Sequence, residues 1–316
     1  MKSTLVLRQA VKPWLEKASA RILIGVSGGA DSLALALATY QEASHHGVEV
    51  LALIVDHGLQ EGSDKTSQSA ADNLIKIGIT NVEIIRVNVE IVDGLEASAR
   101  RARYEAFDNA IAKHSPDYFF LAHTKNDQAE NVLLGLARGS GTRSMSGMAE
   151  ENGIYIRPIL HIDRSTTEDV CRENNLIPWI DPHNSDESYA RVRVRKNILP
   201  ILENNLGPGI VDALARSARI SREDADALDQ YADDFLKARG AEDLDIELLA
   251  RLTKAVRSRV LRRVILAAGA PSGSITADHV ASVEALITAW HGQGEVSLPG
   301  GVKVGRISGR LSLSQG

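Results

Sequence analysis

Residues 21–32, RILIGVSGGADS, decide the fold. A six-residue apolar run ends in two adjacent glycines, and SLALALATYQEASHH (32–46), rich in helix formers, follows at once. A short apolar run, a turn and a helical pattern together read as one βα unit with a buried strand. The texture recurs: VEVLALIV (48–55), VEIIRV (82–87) and DYFFLA (117–122) are further strand candidates, and the stretches near 63–77, 95–114 and 127–138 are helical. The alternation predicts an α/β fold, a doubly wound, Rossmann-like parallel sheet with right-handed crossovers. Ligands of such sheets bind beyond the carboxyl ends of the strands, so chemistry is expected at the residues that follow each strand.

After residue 200 the texture changes. Pro200, Gly207, Pro208 and Gly209 punctuate a boundary, residues 210–268 are helical, and the Gly-rich alternation of 292–314 predicts a β-hairpin. The expected organisation is a catalytic domain over 1–205 and a smaller, mainly helical domain over 206–316 that ends in a short β element. With 316 residues and 44% hydrophobic content the chain can bury a sizeable core. Aromatics make up only 4%, so Ala, Leu, Ile and Val must build it. No apolar run reaches the roughly 18 residues of a membrane span, and the N-terminal apolar stretch is too short and too charged for a signal peptide. The single cysteine, Cys171, excludes an internal disulfide or a Cys-x-x-Cys site. A cytoplasmic protein with no membrane partner is expected. The net charge of -5 argues mildly against a nucleic-acid partner, but two basic clusters stand out locally.

The run Ser27-Gly28-Gly29-Ala30-Asp31-Ser32 carries the strongest chemical signal. Glycines let the backbone turn tightly and approach a ligand. The open N–H groups of the helix start then hold an anion, and the two hydroxyls add donors. It lacks the Gly-Lys-Ser/Thr ending of a Walker A loop. A carboxylate beside phosphates implies a cation between them, so Asp31 points to Mg2+. The plainer alternative is a Gly-rich turn with a capping Ser or Asp. The second strand ends in Asp56-His57-Gly58, either a turn or a ligand contact. After the fourth strand, His123, Asp127 and Glu130 are spaced to share a helix face. They suit metal binding or the holding and deprotonation of an amine, or else favour a helix N-terminus through its dipole. Glu96 and Arg100 are spaced as a surface ion pair. Arg191, Arg193, Arg195 and Lys196 alternate with Val as in a strand, which places the three guanidiniums on one face; a helix would spread them. Arg259 and Arg263 lie on the basic outer face of an amphipathic pattern, 251–263. Both clusters suit phosphate contacts or a solvated face.

The run at 27–32 resembles the pyrophosphate-binding loop of the N-type ATP pyrophosphatases. Within them the ordered set resembles the lysidine synthetases: Val55-Asp56-His57-Gly58-Leu59, Glu96-x-x-Ala-Arg100-x-x-Arg103-Tyr104, then His123, Asp127, Gln128 and Glu130. Arg138-Gly-Ser-Gly, Gly147-Met148, Arg157-Pro158, Asp181-Pro-His-Asn, Arg191 and Arg195 follow in order. The resemblance covers roughly residues 20–205. Asn126, Asn131 and Val192 depart from the pattern, where Asp, Thr and Asn are usual.

The resemblance implies ATP and Mg2+ on Ser27–Ser32, with Asp56 and His57 near the nucleotide and Arg100 and Arg103 supplying the active site. The substrates it implies are a tRNA(Ile) with a CAU anticodon and free L-lysine. O2 of the wobble cytidine attacks the α-phosphate, and the lysine amine then displaces AMP from C2. Asp127 and Glu130 are the candidates for the lysine cation, and they or His123 for its deprotonation. A homodimer is left open by the sequence. The same loop also serves tRNA 2-thiolation enzymes, small-molecule amide-forming ligases and non-catalytic nucleotide sensors; the lone cysteine, the basic clusters and the retained acidic residues respectively argue against them.

Overall fold

A computed structural model of the chain describes residues 2–60, 62–92, 94–139, 141–240 and 244–315. Two compact units emerge, Met1–Gly139 with Ser144–Arg219, and Ser140–Arg143 with Ile220–Gly316.

The first unit opens with α1 (Lys2–Leu15), then alternates β1 (Arg21–Gly25), α2 (Ala30–His46), β2 (Glu49–Asp56), α3 (Ser63–Ile77), β3 (Val82–Arg86), α4 (Leu95–His114), β4 (Tyr118–Leu121) and α5 (Lys125–Ala137). A short α6 (Thr142–Met145), divided between the two units, and the two-residue strands β5 (Glu151–Asn152) and β6 (Tyr155–Ile156) precede α7 (Arg164–Glu173), α8 (Ala190–Arg193), α9 (Leu199–Leu206) and the start of α10 (Ile210–Arg239). The strands form one sheet in the order β3-β2-β1-β4-β6-β5, parallel except for β5. This is the doubly wound sheet the alternation predicts, with an antiparallel edge. Period-two alternation sorts its two faces. Ile22 and Ile24 pack with α1, α2 and α7, whereas Leu23, Leu53 and Phe119 pack with Phe107 of α4.

Gly25 pairs with Leu53 on one side and Leu121 on the other, so β1 and β4 end level while β2 runs three residues further, to Asp56. The chain reverses strand order between β1 and β4. That crevice is where a doubly wound sheet takes its ligand.

The second unit holds most of α10, then α11 (Ile246–Arg251), α12 (Lys254–Ala267), α13 (Ala277–Thr288) and the antiparallel sheet β7 (Val296–Ser297), β8 (Val302–Ile307), β9 (Arg310–Gln315). The hairpin expected over 292–314 is β8–β9, and a third short strand extends it. Leu249, Val260, Leu261, Ile265, Val283, Leu286, Val302 and Val304 close a separate core.

The alternating Arg-Val run is a correction. It is helical: α8 passes into a π-helical turn, Val194–Ile198, and on into α9. Val192 is buried and so drives the helical reading, since a strand would put Val194 on its face as well. Helices α1, α6, α7, α9 and α13 also fall outside the helical stretches read from the sequence. In α1 the spacing Leu7, Val11, Trp14 is the apolar stripe of an amphipathic helix, closed by Pro13 near its end.

Candidate active site

The loop after β1 has the geometry of an anion cradle. Gly29 is the N-cap of α2, and no side chain satisfies the first N–H groups of that helix. Ser32 Oγ accepts from Ser27 N–H at 3.2 Å and donates to Gly29 O at 2.9 Å, closing the turn. Gly28 sits at φ +82, and a Cβ there would meet Ala70 Cβ at 3.1 Å. Its carbonyl accepts from Trp179 N–H at 2.9 Å, so the segment before α8 ties down the loop. Ser27 is exposed and Ala30 is half-buried in the first turn.

At the end of β2, Asp56 is buried and accepts from Gly58 N–H at 2.9 Å, which makes it the anchor of the turn. His57 Nε2 accepts from Arg103 Nε at 3.3 Å and lies 3.2 Å from its Nη2. The hydrogen-bond network therefore assigns the proton to Nδ1, which is buried and finds no partner among the described residues. Burial, reinforced by the Arg103 charge, pushes the His57 pKa down to about 4. Burial also lowers Arg103 from its ordinary value. One turn earlier, Arg100 lies over the Tyr104 ring, 4.8 Å from its centroid, and lines an open groove with Glu96 and Tyr189.

After β4 the chain makes a capping box. Thr124 is the N-cap of α5, and Asp127 Oδ2 accepts from both its N–H at 2.8 Å and its hydroxyl at 2.9 Å. His123 thus precedes the helix rather than sharing its face. Its Nδ1 is also buried with no partner among the described residues, and desolvation pushes its pKa down to about 4. The imidazole is neutral at neutral pH.

Asp127 and Glu130 are both buried, Glu130 with 0% exposure. The anionic pocket expected of them is already occupied by guanidiniums. Arg195 donates Nε to Glu130 Oε1 at 2.7 Å and Nη2 to Oε2 at 3.0 Å. Arg164 donates Nη2 to Asp127 Oδ1 at 2.7 Å, Nη1 to Glu130 Oε1 at 3.3 Å and Nε to Asp31 Oδ2 at 3.4 Å. Thr167 Oγ1 donates to Asp31 Oδ1. Burial raises the Asp31 pKa despite these donors. Burial opposes ionisation of Asp127 too, but Arg164 and the Thr124 N–H outweigh it and hold its pKa low. The three carboxylates in turn raise the Arg164 pKa against the effect of burial.

The three departures from the resemblance have local work. Asn126 Oδ1 accepts from the Arg164 backbone N–H at 3.0 Å, so its amide starts α7. Asn131 Oδ1 accepts from Arg191 Nη2 at 2.6 Å. Val192 is buried.

Arg191 and Arg195, one helical turn apart, face α5. Arg193 instead donates to the Glu187 and Ser188 carbonyls, and Lys196 to the Ser185 carbonyl; both are exposed. In the second unit the basic face expected over 251–263 is largely paired. Arg257 is buried against Glu284, Arg259 meets Asp229 at 3.0 Å, and Arg263 meets Asp233 at 2.6 Å and Asp229 at 3.3 Å.

Sequence reading missed Arg164 and Thr167. One signal was available: Arg164 is the first residue of a helix, where the dipole disfavours a cation, so some anion has to hold it there.

Residues 2–202 match the PP-loop domain family, and residues 244–312 match the TilS substrate binding domain family. A tRNA(Ile)-lysidine synthase of Thermobifida fusca is 46% identical over 313 residues, covering 98% of this chain and 97% of that one. A tRNA(Ile)-lysidine synthase of Streptomyces coelicolor is 48% identical over 302 residues, covering 93% and 85%. Among solved structures, a U34-tRNA thiolase of Methanococcus maripaludis superposes with a TM-score of 0.59 at 16% identity, over 70% of this chain and 78% of that one, a likeness of fold.

Proposed function

This chain belongs to the tRNA(Ile)-lysidine synthase family, and from that membership and the site geometry we infer that it uses ATP to join free L-lysine to C2 of the wobble cytidine in a tRNA(Ile) with a CAU anticodon. The observation that carries this reading is adjacency at the switch point. Asp31, on the phosphate-binding turn, and the Asp127–Glu130 pair, suited to an amine, are held by the same Arg164 side chain.

The residues divide the work in two. The open N–H groups at the start of α2, with the exposed Ser27 hydroxyl, hold and orient the phosphates, and the Ser32 hydroxyl keeps the turn closed. Cytosine O2 attacks the α-phosphate and pyrophosphate leaves. The lysine amine then attacks C2 and AMP leaves. Asp127 and Glu130 hold the amine end of lysine. His123 arrives neutral, with Nδ1 available to take the proton.

Among the described residues no group of three or more His, Cys, Asp or Glu side chains is arranged to hold a metal. Mg2+ commonly takes one carboxylate together with phosphate oxygens and water, so Asp31 fits a cation that enters with the nucleotide. Bound there it would neutralise phosphate charge. Cys171 is buried, and burial pushes its pKa up to about 12, so it stays a packing thiol and cannot relay sulfur as a thiolate. No helix among the described residues is long and apolar enough to cross a membrane. We place the protein in the cytoplasm, with its tRNA.

The test is incorporation of radiolabelled lysine into an unmodified tRNA(Ile) transcript with a CAU anticodon. We expect incorporation that needs ATP and fails with a tRNA(Met) carrying the same anticodon. Pyrophosphate release without tRNA, driven by another amine or carboxylate, would instead make the chain a small-molecule ligase.

A further inference from the structure

Arg164 stands where a substrate cation has to go. Two guanidiniums, Arg164 and Arg195, face three carboxylates, so this cluster is one positive charge short. The shortest contacts match Arg164 with Asp127 and Arg195 with Glu130. The contacts from Arg164 to Glu130 and Asp31 are longer, at 3.3 and 3.4 Å. The guanidinium can leave those two and still pivot on Asp127. Its main chain is fixed independently of this charge, because Asn126 accepts the Arg164 N–H and Lys125 N–H donates to Ile162 O at 2.9 Å. The backbone is therefore anchored while the head group is held by carboxylates alone, at a helix start that disfavours it.

We propose that Arg164 is the resident counter-cation of the amine site, a positioning residue that fills the ε-ammonium position between Asp127 and Glu130 until lysine displaces it. This rests on the assignment of those carboxylates to lysine. Without Arg164 the buried pair would share Arg195 alone, bidentate on Glu130 and 3.7 Å from Asp127, one cation for two charges. Arg164 keeps them ionised and in place while the nucleotide loop does its work. It also sets a threshold for entry. A ligand that binds only the opened site has its apparent affinity reduced by the fraction of molecules that are open. Lysine, long enough to engage the site at both ends, can meet that cost; small cations with one point of contact cannot. Arg164 thus tunes lysine affinity downward and selectivity upward.

The experiment compares lysine KM and kcat for the full chain and for Arg164→Ala and Arg164→Lys, in the tRNA- and ATP-dependent assay, with folding checked by thermal unfolding. Removing a competing cation should lower the lysine KM of Arg164→Ala by about tenfold, the effect of a closed state populated about nine to one, while kcat falls. Arg164→Lys keeps the charge but loses the fork, so its KM should lie between the two. Low, non-denaturing guanidinium should compete with lysine in Arg164→Ala and not in the parent. A lysine KM that is unchanged or raised in folded Arg164→Ala overturns the proposal, and so does a lack of competition by guanidinium. If Arg164→Ala does not fold, Arg164→Lys decides alone: a lower KM supports the proposal, an equal or higher one sinks it. A parent enzyme that incorporates no lysine would overturn the assignment of the site itself, a distinct failure.

Discussion

Asp127 and Glu130 lie one turn apart on the same helix, yet their surroundings give them different tasks. Asp127 closes the capping box of α5 as well as pairing with Arg164, so its removal would loosen the helix start. Glu130 makes no cap; its charge is held by the bidentate Arg195 and a longer contact from Arg164. His123, which feels the Asp127 charge, and His57, against Arg103 after β2, carry no charge at neutral pH, and this has a measurable consequence. His123 and His57 are both pushed down from 6.5 to about 4, chiefly by desolvation. Between those values the unfolded chain binds protons that the folded chain refuses. Stability therefore rises with pH through this window, and is lost as pH falls from about 6.5 towards 4. For His123 the upper bound is about 3 kcal/mol; the more exposed His57 adds less, with the same sign. Asp31, whose pKa is raised by burial, acts in the opposite sense above its unfolded value. Denaturant unfolding at pH 7 and pH 5 checks this. The protein should be less stable at pH 5, and His123→Asn should shrink the difference. Equal stability at the two pH values would contradict the neutral, desolvated His123.

At the scale of elements, the phosphate turn depends on one backbone conformation. Gly28 occupies the left-handed region at φ +82, with Ala70 3.1 Å from where a Cβ would lie. A side chain there costs about 1–2 kcal/mol from the conformation alone, and the crowding with α3 adds to it. The Gly28→Ala variant should relieve the strain by rotating the Ser27–Gly29 peptides, which aim the cradle. ATP-dependent pyrophosphate release should fall by about a hundredfold, the low end for a lost electrostatic donor, with tRNA binding unchanged. An unaltered KM for ATP would show that the cradle tolerates the shift. That this turn was legible in the sequence has a physical cause: strand, glycines, carboxylate and helix are contiguous, so no tertiary information is needed. Gln128 is a different case: its amide bonds both the N–H and the carbonyl of Met148, twenty residues on, a contact that neither segment announces by itself. Arg164 was not legible because its partners lie 133, 37 and 34 residues away and only the sheet brings them together. The Arg-Val alternation misled because period two describes the sequence, whereas burial of Val192 and the facing α5 select a helix. Its π-helical turn carries Arg195 towards Glu130.

For the whole molecule the question is how a chain of net charge -5 holds a polyanion. The answer lies in which cations keep their charge available after folding. In the second unit Arg143, Arg259 and Arg263 converge on Asp226, Asp229 and Asp233 of α10, three charges against three. Those aspartates stand far from the arginines in sequence, which is why the stretch 251–263 reads as a basic face when taken alone. In the first unit Lys196 and Arg193 are exposed and donate to main-chain carbonyls, contacts that leave their charge uncancelled. Counterion release counts only charges placed against phosphates. Lys196→Ala should therefore weaken tRNA binding at all sequences alike and reduce the slope of log affinity against log salt by about 0.7–0.9, one phosphate contact. Arg263→Ala should leave that slope unchanged and instead lower the thermal midpoint, because Asp233 loses its partner while Asp229 keeps Arg143 and Arg259. Binding titrations across a salt series, run beside thermal unfolding of the same proteins, separate the two effects. A salt slope that falls for Arg263→Ala and not for Lys196→Ala would reverse the assignment and place the phosphate contact on α12.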